Sequence, residues 1–413
     1  MHGSLAKSSK STVILLSLLF CVYPFGPAFQ NLGLGLFVLG ALGLKYFPRM
    51  QPLSMMPRSV LWIFAGMLAY LLWCVLATFL SPSEHRSEPL AFFVGYLPLI
   101  LLPWISGTLP ELDSRARQKL LALASVGVLI WGLLVLSQYF FPWRWVGTSV
   151  EAARTQRAQG FYSHPMSLAY ASLILWPLAI RMILKFPRRW TSWAFGIGAA
   201  LLLLFSMSRV VQLLSALFTL WNIFVLLSGR QRLTACSLAL LLGIVLALTE
   251  NPVSVRFRHL VNPTAEELMS DYPDDRLAFW HAHLLMIEER PWTGHGVHLN
   301  LKFREPYYDR LGLSEFPKKY QAHNQYLQIL AEAGIIGLFF YGSWLLAAWV
   351  AIQKYISSTF FRVTAQQTLL IFSLGCLTQN AFDDSCVRTG LVIFFCLMLT
   401  QMPGRFFGRA PEG

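Results

Sequence analysis

Apolar runs of about 15–22 residues recur along the whole chain, each long enough to cross a ~30 Å hydrocarbon core as a helix. A helix suits that setting because its backbone hydrogen bonds close within the segment. We read twelve such runs, the second and the last of them shorter, at 12–28, 32–44, 60–80, 90–105, 120–141, 166–184, 193–207, 210–227, 234–248, 335–352, 364–381 and 390–401. The first carries a basic flank, as the core of a signal peptide would. No small-residue cleavage site follows it, however, and the next run begins at once. The pattern predicts an all-α polytopic membrane protein, with 1–413 forming a single membrane domain.

Two polar stretches interrupt the runs. One, 142–165, joins the fifth to the sixth; the larger, 249–322, joins the ninth to the tenth. Long polar segments gathered on one face commonly carry function. Inside the larger stretch, Arg276 opens a helical pattern that ends at Arg290, with Asp274 and Asp275 ahead to cap it and Pro291 to stop it.

Composition narrows the class. Hydrophobic residues make up 55% of the 413 and charged residues 13%, about half the roughly 25% of an ordinary soluble domain. A soluble enzyme and a disordered chain are both excluded. In a soluble protein the net charge of +13 would suggest nucleic acid. Here its distribution explains it. With the N-terminus inside and the runs alternating, the inner side, counting Arg181 in the last turn of its run, holds 18 of the 33 basic residues but three of the 20 acidic ones. That is the positive-inside pattern. Both termini are expected in the cytoplasm, the 249–322 loop outside, and no nucleic acid as partner. The six cysteines are scattered without a CxxC pair, so no disulfide framework is suggested.

Three outer positions carry candidate chemistry. Arg209 follows Ser206-Met207-Ser208 in a join barely long enough to link two runs. It is either a cation snorkelling to headgroups or a fixed charge facing a membrane-embedded anion. Arg276 sits in a first helical turn, against the dipole, and Trp280 and His283 share its face at 100° per residue. That helix could equally lie flat on the membrane surface. His323 precedes Gly334 and Gly337. In one continuous helix both glycines would lie below the imidazole and let another helix pass close. The pairs His281/His283 and His295/His298 lack metal-ligand spacing, since i and i+2 diverge on a helix and no HExxH occurs. No metal site is expected.

His323-Asn324, nine residues and Gly334-Ile-Ile-Gly337 together resemble a known signature, His-[Asn/Ser/Gln]-x9-Gly-x2-Gly. It is that of the bacterial O-antigen ligase and polymerase superfamily. Weaker similarities follow the family's order: Arg157-Ala-Gln-Gly-Phe-Tyr-Ser-His-Pro165, Ser208-Arg209, and Asp275-Arg276 followed by Pro291-Trp-Thr-Gly-His-Gly296. Family members often have Ser-Arg-Gly where this chain has Ser208-Arg209-Val210.

The resemblance implies a GT-C-like inner-membrane glycosyltransferase with about 12 transmembrane helices, one large periplasmic loop, and neither metal nor other cofactor. The implied donor is a glycan on undecaprenyl pyrophosphate, and the acceptor lipid A–core or another glycan. By position, His323, Arg209 and Arg276 look like the family's catalytic residues, and Arg157, His164, Asn324 and Trp280 are candidates for substrate binding. The residue types suit the reaction. A guanidinium recognises pyrophosphate oxygens in bidentate fashion, and a neutral imidazole can take the acceptor's proton. Ligation to lipid A–core is the favoured reading. A polymerase, a protein-glycosylating enzyme and a transporter are the alternatives. The transporter is disfavoured because the runs hold almost no ionisable residue at mid-depth.

Overall fold

The computed structural model describes residues 14, 16–17, 23, 27–43, 58–81, 89–107, 114–141, 158–162, 164–248, 275–297, 301–314 and 321–400. Arg157, His298, 249–274 and most of the first apolar run lie outside the described residues. The helices, in order, are α1 (Pro27–Gly43), α2 (Arg58–Leu80), α3 (Pro89–Tyr96), α4 (Pro98–Gly107), α5 (Ser114–Phe140), α6 (Pro165–Lys185) and α7 (Trp190–Phe205). There follow α8 (Arg209–Leu226), α9 (Gly229–Leu248), α10 (Asp275–Glu289), α11 (Leu301–Arg310), α12 (Gln325–Tyr355), α13 (Thr359–Gly375) and α14 (Ser385–Thr400). Among the described residues there is no strand.

The all-helical class is as expected, but the count of twelve crossings is not reproduced. Among the described residues five helices, α2, α5, α6, α8 and α12, are long and apolar enough to cross a membrane. Part of the difference has a visible cause. The run at 90–105 is split into α3 and α4, because Pro98 has no N–H to continue the ladder. The run at 364–381 stops early: α13 ends at Gly375, and 376–384 form a turn rich in Thr, Gln, Asn and Asp. Side chains of these types bond to nearby backbone and compete with the helix.

Small residues and rings set the packing. α5 crosses α7 where Gly132 meets Gly198 backbone to backbone, the close approach that small residues permit between membrane helices. α12 runs antiparallel to α2, with the Trp344 backbone seated over Gly66. Leu68, Leu72 and Leu76 on α2, and Leu213, Leu217 and Phe224 on α8, point outward and exposed. Such apolar outer faces suit lipid.

α6 is the axis of this bundle. Of its apolar stretch 78% is buried, against 28–44% in the other four long helices. It contacts α7, α8, α13 and α14. α8 lies parallel to it in a fixed register. Trp176 Nε1 donates to the Ser215 carbonyl at 2.9 Å, and Arg181 donates to Asn222 Oδ1 at 3.0 Å. Extending that register places Arg209 level with the first turn of α6.

Arg181, counted with the inner-side cations, is not at the surface. It is 2% exposed. Asn222 passes its hydrogen bond on to Gln367 of α13 at 3.1 Å, and the Phe360 ring lies 5.6 Å from the guanidinium. A cation inside a bundle persists only with such partners.

Outside the main core, α10 and α11 form a smaller cluster. Phe279, Ala282 and Met286 pack with Phe303, Tyr307 and Tyr308, and Ala331 of α12 joins them. This cluster packs α10 and α11 onto the first turns of α12.

Candidate functional site

His323 lies just outside α12, whose N-cap is Asn324. Its backbone is left-handed, with φ of 48°, a strained conformation for a residue other than glycine that survives only when neighbours over-determine it. They do. The N–H of Ala322 donates to Gln328 Oε1 at 3.0 Å, and Trp280 Nε1 donates to the Ala322 carbonyl at 3.0 Å. The N–H of Gln325 donates to the Cys376 carbonyl at 2.8 Å. The Asn324 side chain accepts from the N–H groups of Tyr326 and Leu327 at 3.0 and 3.2 Å. Asn324 and Trp280 therefore use their polar atoms to hold the turn that carries His323.

His323 Nδ1 lies 2.8 Å from Gln379 Oε1. With that oxygen accepting, Nδ1 carries the proton and Nε2 keeps the lone pair. The Phe279 ring of α10 stacks near the imidazole, centroids 5.6 Å apart. Gln379 belongs to the turn after α13, which sequence reading had placed inside a membrane run. Next to it, Thr378 bonds the Tyr170 hydroxyl of α6 at 2.8 Å, and the charge of Arg276 acts on that same phenol. His323 and Tyr170 thus both bond to this one turn. Arg276 is half-buried, in the first turn of α10 as expected.

Arg209 is the first residue of α8, after a Ser208 N-cap and a left-handed Met207 with φ of 54°. The register with α6 puts it at the depth of Leu168, one turn from the Tyr170 that Arg276 approaches. The two arginines enter the same end of the bundle from different elements. His164 is the N-cap of α6, and its Nδ1 accepts from the Met166 N–H at 3.1 Å. The N–H of Ala158, next to Arg157, donates to the Phe205 carbonyl beneath the Met207 turn.

Gly334 departs from what the sequence suggested. α12 is not continuous: at Gly334 the backbone turns to φ 66°, ψ −171°, a region open essentially to glycine. The element packed there is the segment 291–296, not a helix. The N–H groups of Ile335 and Ile336 donate to the carbonyls of Pro291 and Trp292 at 2.8 and 3.4 Å. In return, His295 and Gly296 donate to the carbonyls of Ala331 and Glu332 at 3.0 and 2.8 Å. Trp73 of α2 covers the third orphan, the Ala333 carbonyl, at 2.7 Å. The broken ladder is satisfied by exchange with the Pro-Trp-Thr-Gly-His-Gly motif. A Cβ on Gly334 would strike the Trp292 carbonyl, and one on Gly294 would strike that of Glu332.

Two histidines near the site are structural. His283 is fully buried with Nδ1 2.7 Å from the Phe279 carbonyl, and burial pushes its pKa down to about 4. His295 places Nε2 2.9 Å from the Met286 carbonyl. Among the described residues no three His, Cys, Asp or Glu converge as a metal site would need.

Sequence reading missed Gln379, Tyr170 and two carboxylates. Asp383 accepts from the Tyr96 hydroxyl at 2.5 Å and from Gln325 at 3.1 Å, while Asp384 caps α14 and accepts from Ser167 at 2.5 Å. The density of polar residues from Thr378 to Ser385 was the available signal. Their partners lie some 60 to 290 residues away and leave no local trace.

No curated protein matches the chain. Residues 194–342, which contain Arg209, Arg276, the Pro291–Gly296 segment and His323, match the family model described as O-antigen ligase, and this supports placing the chain in the O-antigen ligase and polymerase superfamily.

Proposed function

We propose that the protein transfers a glycan from undecaprenyl pyrophosphate to an acceptor sugar hydroxyl at the outer face of the inner membrane, most specifically onto lipid A–core. The observation that carries this reading is His323, held in a clamped left-handed turn with Nδ1 on Gln379, while Arg276 and Arg209 enter at the same end of the bundle.

In this reaction the acceptor hydroxyl attacks the anomeric carbon. His323 Nε2 takes the hydroxyl proton as the new C–O bond forms, and the lipid pyrophosphate departs with the electrons of the old one. Arg209 and Arg276 hold its growing charge, a stabilisation worth roughly 3–4 kcal/mol per donor by analogy with oxyanion sites. A single displacement inverts the anomeric centre. Arg157 and His164 remain candidates for binding glycan or phosphate by the family resemblance, whereas Asn324 and Trp280 serve by positioning His323.

The test replaces each arginine with Ala and with Lys, and assays transfer in membranes from cells that accumulate donor. The Ala variants lose transfer by roughly 10²–10³-fold. The Lys variants recover part of it, since a point charge lacks the planar fork. Full activity in both Lys variants overturns the bidentate pyrophosphate contact. In a deletion strain, free core with stored polymer indicates ligation, and core bearing single repeats indicates polymerisation.

A further inference from the structure

At the end of α6 opposite His323, a cavity of about 490 Å³ opens between α5, α6, α13 and α14. That volume lies within the ~300–1,000 Å³ usual for small-molecule sites. Its walls are apolar, with Leu121, Ala124, Leu178, Ile393 and Leu397 among them. Along α6 it runs from Ile174 to Phe186, about 18 Å at 1.5 Å per residue. That is a little more than half of a ~30 Å hydrocarbon core, the reach of one leaflet.

The inner end is stopped by Tyr23, whose hydroxyl donates to the Ala171 carbonyl at 3.0 Å and whose own carbonyl accepts from Tyr162 at 2.6 Å. This plug separates the cavity from the turn that holds His323.

The mouth differs in character. Arg117 and Arg189 line it, and Lys185 Nζ lies 5.9 Å from the ring of Phe360, itself part of the wall. Ser358 also lies there, as the N-cap of α13, and makes no side-chain cap bond. No acidic residue is among the described lining residues. An apolar cleft with few polar partners does not hold ordered water well, and a cationic mouth favours an anionic group.

We infer that this cavity is a binding site for an anionic membrane phospholipid, with one acyl chain in the cleft and the phosphate at Arg117 and Arg189. The depth and blind inner end fit a chain that terminates inside, not a long isoprenoid passing through. The site is independent of the transferase reading, being at the other end of α6.

The full chain is placed in nanodiscs of phosphatidylethanolamine doped with phosphatidylglycerol bearing a diazirine at its acyl terminus. Peptide mass spectrometry then locates the photolabel. The label concentrates near Tyr23, Ile174 and Gly390. Two separate fillers, Ala124→Trp and Leu178→Trp, each reduce it at least tenfold. The double variant Arg117→Gln/Arg189→Gln lowers it severalfold and erases the preference over a phosphatidylethanolamine probe. Thermal unfolding of each variant identifies any that misfolds, and the remaining variants then decide.

Label spread over outward residues such as Leu217 and Phe224, with no excess in the cavity, overturns the proposal. So does label that survives every folded filler, or equal labelling by both headgroups in the native protein. Displacement by equimolar undecaprenyl phosphate makes the cavity an isoprenoid site and also overturns it. Loss of transfer in the Arg209 or Arg276 variants bears on none of these outcomes.

Discussion

α6 and α12 are both apolar helices long enough to cross a membrane, and they treat their backbones in opposite ways. α6 stays one helix although Pro177 forgoes a ladder bond, carries side chains from one end of the bundle to the other, and fixes the register of α8. α12 breaks at Gly334 and hands the freed groups to the segment 291–296 and to Trp73. A continuous helix can only be packed against. A broken one must be completed by something else, since each unpaired buried N–H or carbonyl costs about 1–3 kcal/mol. The break therefore ties the segment 291–296 to α12 about three turns along the helix from His323.

The largest effect comes from healing the break. Gly334→Ala favours ordinary helix and cannot adopt the observed backbone without strain of about 1–3 kcal/mol. Healing the helix instead forfeits the exchange bonds, about 1 kcal/mol each, so a destabilisation of a few kcal/mol is expected by either route. Limited proteolysis should find the 291–297 segment newly cleavable and transfer abolished. A resistant, active variant would mean the break is incidental.

Next is His323→Ala, which should lower turnover by about 10²–10⁴-fold while leaving that proteolytic pattern unchanged. His323→Gln keeps a hydrogen bond but cannot take the proton, so it fails to a similar degree. Near-native turnover in the Gln variant at saturating acceptor would reduce His323 to a binding role.

Protonation of His283 separates α10 from α6 by pH. Its pKa is lowered to about 4 by burial, while the unfolded chain binds the proton near ~6.5. The neutral form is the one packed, so this stability is complete above about pH 6.5 and is lost as pH falls toward 4, about 3 kcal/mol in all. Hydrogen exchange should show α10 loosening over that window while α6 stays protected. Equal loosening of both would place the weak point elsewhere.

The smallest effect is that of Trp280→Phe. It removes the bond to the Ala322 carbonyl, leaving the ring, and should cost about 1 kcal/mol. A modest loss of turnover without a change in acceptor KM is expected from a positioning residue; a large rise in KM would instead make Trp280 a substrate contact.

The chain's own pattern of apolar and polar residues determined the helical class, the helix from Asp275 to Glu289 and the match of His323 with its glycines to a family signature. These rest on local composition and spacing, and burial in lipid or core acts on them residue by residue. What the spacing of His323, Gly334 and Gly337 could not convey was its meaning. It suggested one helix with a second passing beneath, because a glycine with φ of 66° is indistinguishable in sequence from one that lets helices touch.

The partnership of His323 with Gln379, the approach of Arg276 to Tyr170, the burial of Arg181 and the cavity mouth at Arg117 and Arg189 were decided by tertiary structure. Each joins residues from separate elements through hydrogen bonds, charge or shape that depend on how helices pack. Sequence can supply the donor and the acceptor at either end of such a contact. Only the packed bundle brings His323 within 3 Å of Gln379, and it is that distance, not their presence, that sets a tautomer or aims a lone pair.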